Sequence, residues 1–359
     1  MNQVVSLAGR DWRVARGFNL YVDISSACNA SCPFCIAPTA GRKDGPGFFE
    51  GVKFALDLAA SIDGTIQVVG GEPLISRRLP TLLEEIALRD YRRTVVNTNG
   101  SRISGEIVSA MQSAAVAHVN ISRHHYDERC NQEIMRIRPE LPNTTIASGI
   151  ARIVDAGMGV RMQCNIIKDY VDSVPKMLHY IDWCAGLGCG DISFSQVFPL
   201  SLFEHQIPIE AGYAEKVQID LRQLVSEIDT CGEFMSTSGE SLGRDDMSSW
   251  GSSAWGSPHH ISHHIGGKRR FWSGPRGTNV SLKTLSGYDE TNLPRETAYD
   301  KQDDWELQDG LLAFAVLHPD GRVTASWDCK ERLLFEPMQK MQVVRRRSSA
   351  VPHEVALAA

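Results

Sequence analysis

Cys28-Asn29-Ala30-Ser31-Cys32-Pro33-Phe34-Cys35 places three thiols on one short stretch, separated by three and then two intervening residues. It follows an apolar run, Phe18 to Ile24, that reads as a buried strand. Thiolates are soft ligands that favour iron in clusters, and a loop after a strand can turn three of them to one point. A four-iron cluster needs four ligands, so three from the protein leave one iron open. A structural zinc knuckle and disulfides are the competing readings. Zinc takes four ligands, usually as two pairs, and the next cysteine after Cys35 is Cys130. Disulfides do not suit nine cysteines, an odd count, in a chain without a recognisable secretory signal.

Bulk properties narrow the classes. The 359 residues are enough for one large domain or two small ones, and 42% hydrophobic with 22% charged is an ordinary globular composition. A net charge of −6 does not favour a nucleic-acid partner held by a general basic surface. No apolar run approaches the roughly 18 residues of a membrane span. Residues 1–17 carry Arg10, Asp11, Arg13 and Arg16 among apolar residues and lack the apolar core of a signal peptide. The expected location is cytoplasmic, where thiols stay reduced.

Outward from the cysteine stretch the pattern alternates. Leu20–Ile24, Thr65–Val69, Thr94–Asn97, Ala117–Ile121, Val160–Ile167 and Ile192–Val197 are short β-type runs. Between them lie amphipathic segments, 51–61, 79–88, 105–114, 147–156 and 174–187, of helical period. Strand–helix alternation predicts βαβ units and a parallel sheet, whose doubly buried strands read as near-continuous apolar runs. The polar constellations fall at strand ends: the cysteine loop after the first run, Gly70-Gly71-Glu72-Pro73 after the second, Thr98-Asn99-Gly100 at the third, Ser122-Arg123-His124-His125 at the fourth. Asn165 lies in the fifth and Gln196 in the sixth. Gly and Pro are also ordinary turn residues, so each constellation is weak alone.

In combination they resemble the radical S-adenosylmethionine (SAM) superfamily: Cys-x3-Cys-x2-Cys with aromatic Phe34 before the last Cys, then Gly-Gly-Glu-Pro one βα step later. The resemblance implies an α/β fold, a partial (β/α)6 TIM-like barrel with ligands at the C-terminal strand ends. It implies a [4Fe-4S] cluster on Cys28, Cys32 and Cys35, with S-adenosyl-L-methionine chelating the open iron. Gly70, Gly71, Glu72 and Pro73 would hold the SAM ammonium, with glycines allowing close backbone approach. Thr98 and Asn99 would lie near the ribose. Ser122 would contact SAM, and Arg136 would pair with its carboxylate, which a guanidinium fork suits. Asn165 would lie near the ribose, and Gln196 with the backbone toward Val197 near the adenine. His124 and His125 lie outside that shared apparatus. One of them, facing the cavity, could bind substrate or move a proton near neutral pH.

Past Pro199 the alternation stops. Residues 211–228 read as one more helix, and a polar stretch from Ser236 to about Asp304 reads as a lid or substrate loop. It holds Ser248–Gly256 and the histidines 259, 260, 263 and 264. Leu311–Leu317 and Arg322–Trp327, joined by His318-Pro319-Asp320-Gly321, read as a hairpin closing the barrel. No cysteine lies between Cys231 and Cys329, which leaves no ligands for an auxiliary cluster. The expected organisation is an N-terminal extension (1–17), a radical SAM core (18–205), a C-terminal extension with loop and hairpin (206–340) and a mobile tail (341–359).

The implied activity is reductive cleavage of SAM to a 5′-deoxyadenosyl radical, which abstracts hydrogen from a small molecule. With few residues before the first strand and one cluster, the layout resembles nucleoside- and sugar-tailoring members such as cytosylglucuronate decarboxylase. The expected outcome is redox-neutral elimination, decarboxylation, rearrangement or epimerisation. A one-electron reductant such as flavodoxin or ferredoxin is the expected partner. Cys329 and Cys164 are candidate hydrogen donors because the S–H bond is weak. Peptide modification with a separate recognition protein is an alternative, and a redox sensor that never turns SAM over is one of another class.

Overall fold

A computed structural model of the chain describes residues 4–35, 44–197, 210, 212–236, 269–283, 311–325 and 332–337. In chain order these form β1 (Val4–Leu7), β2 (Arg10–Asp23), α1 (Phe48–Ser61), β3 (Thr65–Val69), α2 (Leu79–Ala87), β4 (Thr94–Thr98) and α3 (Gly105–Ser113). Then come β5 (Val116–Ser122), α4 (Glu128–Met135), α5 (Asn143–Asp155), β6 (Gly159–Ile166), α6 (Val174–Gly186) and β7 (Asp191–Gln196). The later elements are α7 (Tyr213–Lys216), α8 (Leu221–Thr230), β8 (Met235–Ser236), β9 (Arg269–Ser273), β10 (Asn279–Lys283), β11 (Leu311–Leu317), β12 (Val323–Thr324) and β13 (Leu333–Phe335).

One sheet runs β13-β12-β11-β2-β3-β4-β5-β6-β7-β10-β9-β8, with β1 paired to β2. From β11 through β10 every neighbouring pair is parallel, as the alternation predicts. The sheet curves as an open barrel: among the described residues its two antiparallel edges do not pair. Apolar residues cover the convex side. Leu20, Val22, Ile66, Val68, Val96, Val119, Ile121, Met162 and Ile192 share one buried cluster with helix residues such as Val52, Leu82, Ile150 and Ile181. Helix starts carry local signals: Ser104 accepts from the Ile107 N–H, Asp127 from Cys130, and Asp220 from Arg222 and Gln223. No helix among the described residues is long and apolar enough to cross a membrane.

The structure differs from the sequence reading in four places. Residues 10–17 do not precede the first strand but belong to it. Ala8 and Gly9, at φ 51° and 73°, turn β1 back on β2, with exposed Arg10, Asp11 and Arg13 flanking a buried Trp12. Within the polar stretch after Ser236, β9 and β10 form an antiparallel pair, and β10 lies parallel to β7. The rest of that stretch, with its histidines and the lid reading, falls outside the described residues. The helix expected over 211–228 is two, because Asp220 caps a new start. The 318–321 turn forms, with His318 donating to the Arg322 carbonyl, but β11 joins β2 in parallel rather than capping the barrel.

The β11–β12 turn meets α1 at glycines. A Cβ on Gly51 would lie 2.1 Å from the Gly321 carbonyl oxygen and 2.6 Å from Leu317 Cδ1. Alanine normally favours helix over glycine by up to about 1 kcal/mol. Gly51→Ala is nonetheless expected to destabilise by about 1–3 kcal/mol, the usual cost of overpacking, measured by urea unfolding.

Candidate active site

The cysteine loop leaves β2 and is fastened to three other elements. Gly71 N–H donates to the Ser25 carbonyl (2.7 Å) and Glu72 N–H to that of Ala27 (2.8 Å). Ser31 N–H donates to Met135 (3.1 Å) and Arg138 N–H to Asn29 (2.8 Å), which tie the loop to the end of α4. Cys35 N–H closes a tight turn on the Cys32 carbonyl (3.0 Å). The glycine pair is required by contact. A Cβ on Gly71 would sit 2.0 Å from the Ala27 oxygen, and Gly70 has φ +132°.

The three thiols converge enough to perturb one another. Burial raises both Cys28 and Cys32; Glu72 and Cys35 raise Cys28 further, and Cys35 and Cys28 raise Cys32 while Arg136 lowers it. These shifts favour the neutral thiols, so a metal bound there would have to displace their protons. Soft, convergent sulfur donors fit an iron–sulfur cluster.

Glu72 is 1% exposed, and its carboxylate accepts from Leu74 N–H (3.0 Å), Thr98 Oγ1 (2.5 Å) and Asn99 N–H (2.6 Å). Burial raises its pKa against these three donors. The carboxylate expected to meet the SAM ammonium is thus a fastening between the ends of β3 and β4. Thr98 is committed to it, and Asn99 Nδ2 donates to Asn29 Oδ1 (2.9 Å) in the cysteine loop. Pro73 is buried and opens the short turn that Glu72 caps.

On the opposite rim, half-buried Ser122 ends β5. Beyond it His124 is held at three points. Its N–H donates to Asn131 Oδ1 (2.8 Å), its Nδ1 accepts from the Asn165 N–H (2.9 Å), and its ring meets Phe34 edge-on at 5.1 Å. Burial, then Arg123, hold its pKa down to about 3. It is held as a neutral clamp between β5, β6 and the cysteine loop. His125 is likewise taken, its Nδ1 accepting from the Asp127 N–H.

Cys164 lies in the buried apolar cluster at 0% exposure, on the face of β6 opposite half-buried Gln163 and Asn165. Its thiol packs among apolar side chains, away from the face that carries Gln163 and Asn165. Cys329 falls outside the described residues. Arg136 ends α4 in a left-handed conformation, and its Nη2 lies 3.2 Å from Glu210 Oε2. Gln196 donates to Gln218, which in turn donates to the Val197 carbonyl (2.8 Å).

The concave face holds residues that sequence reasoning missed. Gln67 Nε2 donates to Asn19 Oδ1, Asn97 Nδ2 to Gln67 Oε1 and Asn120 Nδ2 to Asn97 Oδ1. Next in register after Asn120 come Arg161 and then Asp191, which pair at 2.7 and 2.9 Å. The available signal was position: these polar residues alternate with apolar ones inside runs such as Thr65-Ile66-Gln67-Val68-Val69.

The Radical SAM superfamily profile matches residues 22–181, the span from the cysteine loop through the clamp to α6. Residues 22–181 are thus similar to a radical SAM domain. Members of this superfamily bind a [4Fe-4S] cluster and S-adenosylmethionine. Among similar curated proteins, a probable GTP 3′,8-cyclase of Sulfolobus acidocaldarius is 26% identical over 119 residues, 32% of this chain and 37% of that one. A GTP 3′,8-cyclase of Marinobacter nauticus is 24% identical over 208 residues, 56% of this chain and 61% of that one. The chain therefore spans less than two thirds of either relative. Among solved structures, Streptococcus suis SuiB bound to precursor peptide SuiA aligns with TM-score 0.46 and 20% identity, over 58% of this chain and 44% of that one. Native anSMEcpe with bound AdoMet aligns with TM-score 0.41 and 15% identity, over 49% and 50%.

The neutral clamp at His124 has a measurable signature. A histidine whose folded pKa is depressed binds its proton in the unfolded chain first. Stability is unaffected above the unfolded value near 6.5 and falls as pH drops below it, at up to about 1.4 kcal/mol per pH unit. Urea unfolding of cluster-free protein between pH 5 and 6.5 is expected to show a shallower slope for His124→Asn than for wild type.

Proposed function

We propose that Cys28, Cys32 and Cys35 hold a [4Fe-4S] cluster and that the chain is a radical SAM enzyme acting on a small molecule. The convergence of the three thiols carries this reading. When bound, the cluster supplies the electron that splits SAM into methionine and a 5′-deoxyadenosyl radical, which takes a hydrogen atom from the substrate. The residues of the chain provide position and exclusion.

The backbone of Gly70 to Glu72 lies against the cysteine loop and offers its polar groups to an ammonium there. Arg136, now paired with half-exposed Glu210, offers a guanidinium to a carboxylate without moving its backbone. Ser122 and Asn165, half-buried at neighbouring strand ends, suit ribose hydroxyls. His124 keeps Phe34 in place beside Cys35 and, being neutral, adds no charge near the thiols. The chamber below is lined by neutral amides and one compensated ion pair, which supports a polar, uncharged reacting part of the substrate. A redox-neutral outcome (elimination, decarboxylation, rearrangement or epimerisation) suits a chain with cysteines for one cluster.

The test is anaerobic reconstitution, then dithionite and SAM, with 5′-deoxyadenosine read by chromatography. Wild type is expected to form it slowly even without substrate. Cys32→Ala is expected to lower the yield to the level of the protein-free control. Equal yields from the two would sink the reading.

A further inference from the structure

Away from the cysteine loop, a second group of metal-ligating side chains gathers where β5 gives way to α4. His125, Asp127 and Cys130 each bring one ligand atom, and these atoms all lie within 4.8 Å of one another. In a tetrahedral zinc site, with bonds of about 2.0–2.3 Å, neighbouring ligand atoms stand roughly 3.3–3.8 Å apart. The group is thus within about 1–1.5 Å of the spacing an ion needs.

The local fold sets this convergence. Asp127 caps α4 by accepting from the Cys130 N–H (2.9 Å), so the first helical turn carries Cys130 back toward its carboxylate. The His125 ring is braced by Tyr126 and Tyr170, with centroids at 4.3 and 6.0 Å. Its Nδ1 accepts from the Asp127 N–H (2.9 Å), and its Nε2 has no hydrogen-bond partner among the described residues. Either ring nitrogen, on taking a metal, releases that N–H, which passes to water because Asp127 is exposed. The site is open to solvent on one side: His125 is 7% exposed, Cys130 half-buried and Asp127 exposed.

The donor set restricts the ion. One imidazole, one carboxylate and one thiol suit zinc, whereas magnesium and calcium favour oxygen alone and iron–sulfur clusters favour thiolates. Burial keeps the imidazole below its ordinary pKa, so it is neutral and ready to bind near pH 7. Burial, then Asp127 and Glu133, raise the Cys130 thiol. The negative charges that make a thiolate costly there attract a divalent cation equally. The opposing cation near His125, Lys176, is paired with Asp172 at 2.8 Å.

We propose that His125, Asp127 and Cys130 bind one zinc ion, with a fourth position open to water or to a ligand oxygen. The site lies at the start of the helix whose last residue, Met135, accepts from Ser31 in the cysteine loop. The ion would fasten the first turn of that helix to the end of β5. The inference goes beyond the proposed function and does not depend on it.

The experiment uses the full chain, anaerobically reconstituted with iron and sulfide, then dialysed against zinc sulfate. Zinc and iron are counted per chain by mass spectrometry. The variants are Cys130→Ser and Asp127→Asn. Asparagine caps a helix as well as aspartate but is a poorer zinc ligand, so Asp127→Asn separates capping from ligation. Circular dichroism shows that each variant is folded. Wild type is expected to hold about one zinc more than either variant, with iron unchanged. If the loop thiols take zinc in place of a cluster, that zinc is common to all three proteins and the difference of about one remains. Failure of the cluster therefore shows in the iron count, and failure of this site in the zinc difference. Equal zinc in wild type and the folded variants, or none in wild type, would overturn the proposal.

Discussion

The site depends on how closely two backbones approach. Gly71 and Glu72 donate to the carbonyls of Ser25 and Ala27, and a side chain at Gly71 would collide with the Ala27 oxygen. That contact sets the cysteine loop on the end of β3. From it the fastening spreads: Glu72 gathers Leu74, Thr98 and Asn99, and Asn99 returns to Asn29 inside the loop. The ring of bonds closes on itself. Its cost is a carboxylate taken out of water, and three donors offset that cost.

The opposite side of the loop is held by packing as well as by bonds. Phe34 rests on a histidine that cannot easily charge, so the contact is the same across the working pH range. Arg136 stands on the left-handed residue that ends α4, a backbone position set by the helix and not by the ligand. Two rigid strand ends thus flank a short loop. Preorganisation of this kind keeps groups placed before anything binds. The buried Arg161–Asp191 pair below adds orientation more than stability, since desolvating two charges takes back most of their attraction.

Much of this was legible in the chain. The cysteine spacing, the glycine pair and the strand–helix alternation each gave a reading that the structure places on successive strand ends. What escaped had physical reasons. Arg10, Asp11 and Arg13 hid a strand because one of its faces is solvated, leaving Trp12 as the apolar mark. The pairing of β10 with β7 spans a long polar stretch that has no periodicity to announce it. The amide belt was hidden for the opposite reason. Gln67 and Asn120 sit inside runs apolar enough to pass as doubly buried strands, and only the curvature of the sheet turns them inward together. The contacts of Glu72, His124 and Cys164 were not legible because a residue's neighbours across strands are far away in sequence. Asn165 N–H, which pins His124, is 41 positions away.

The central claim is that three protein thiols leave one metal site of a cluster open to SAM. Mössbauer spectroscopy of the protein reconstituted anaerobically with ⁵⁷Fe tests it directly. The account predicts four irons per chain in a cubane, with one iron site changing its isomer shift when SAM is added. A two-iron spectrum, zinc in place of iron, or four irons indifferent to SAM would contradict it.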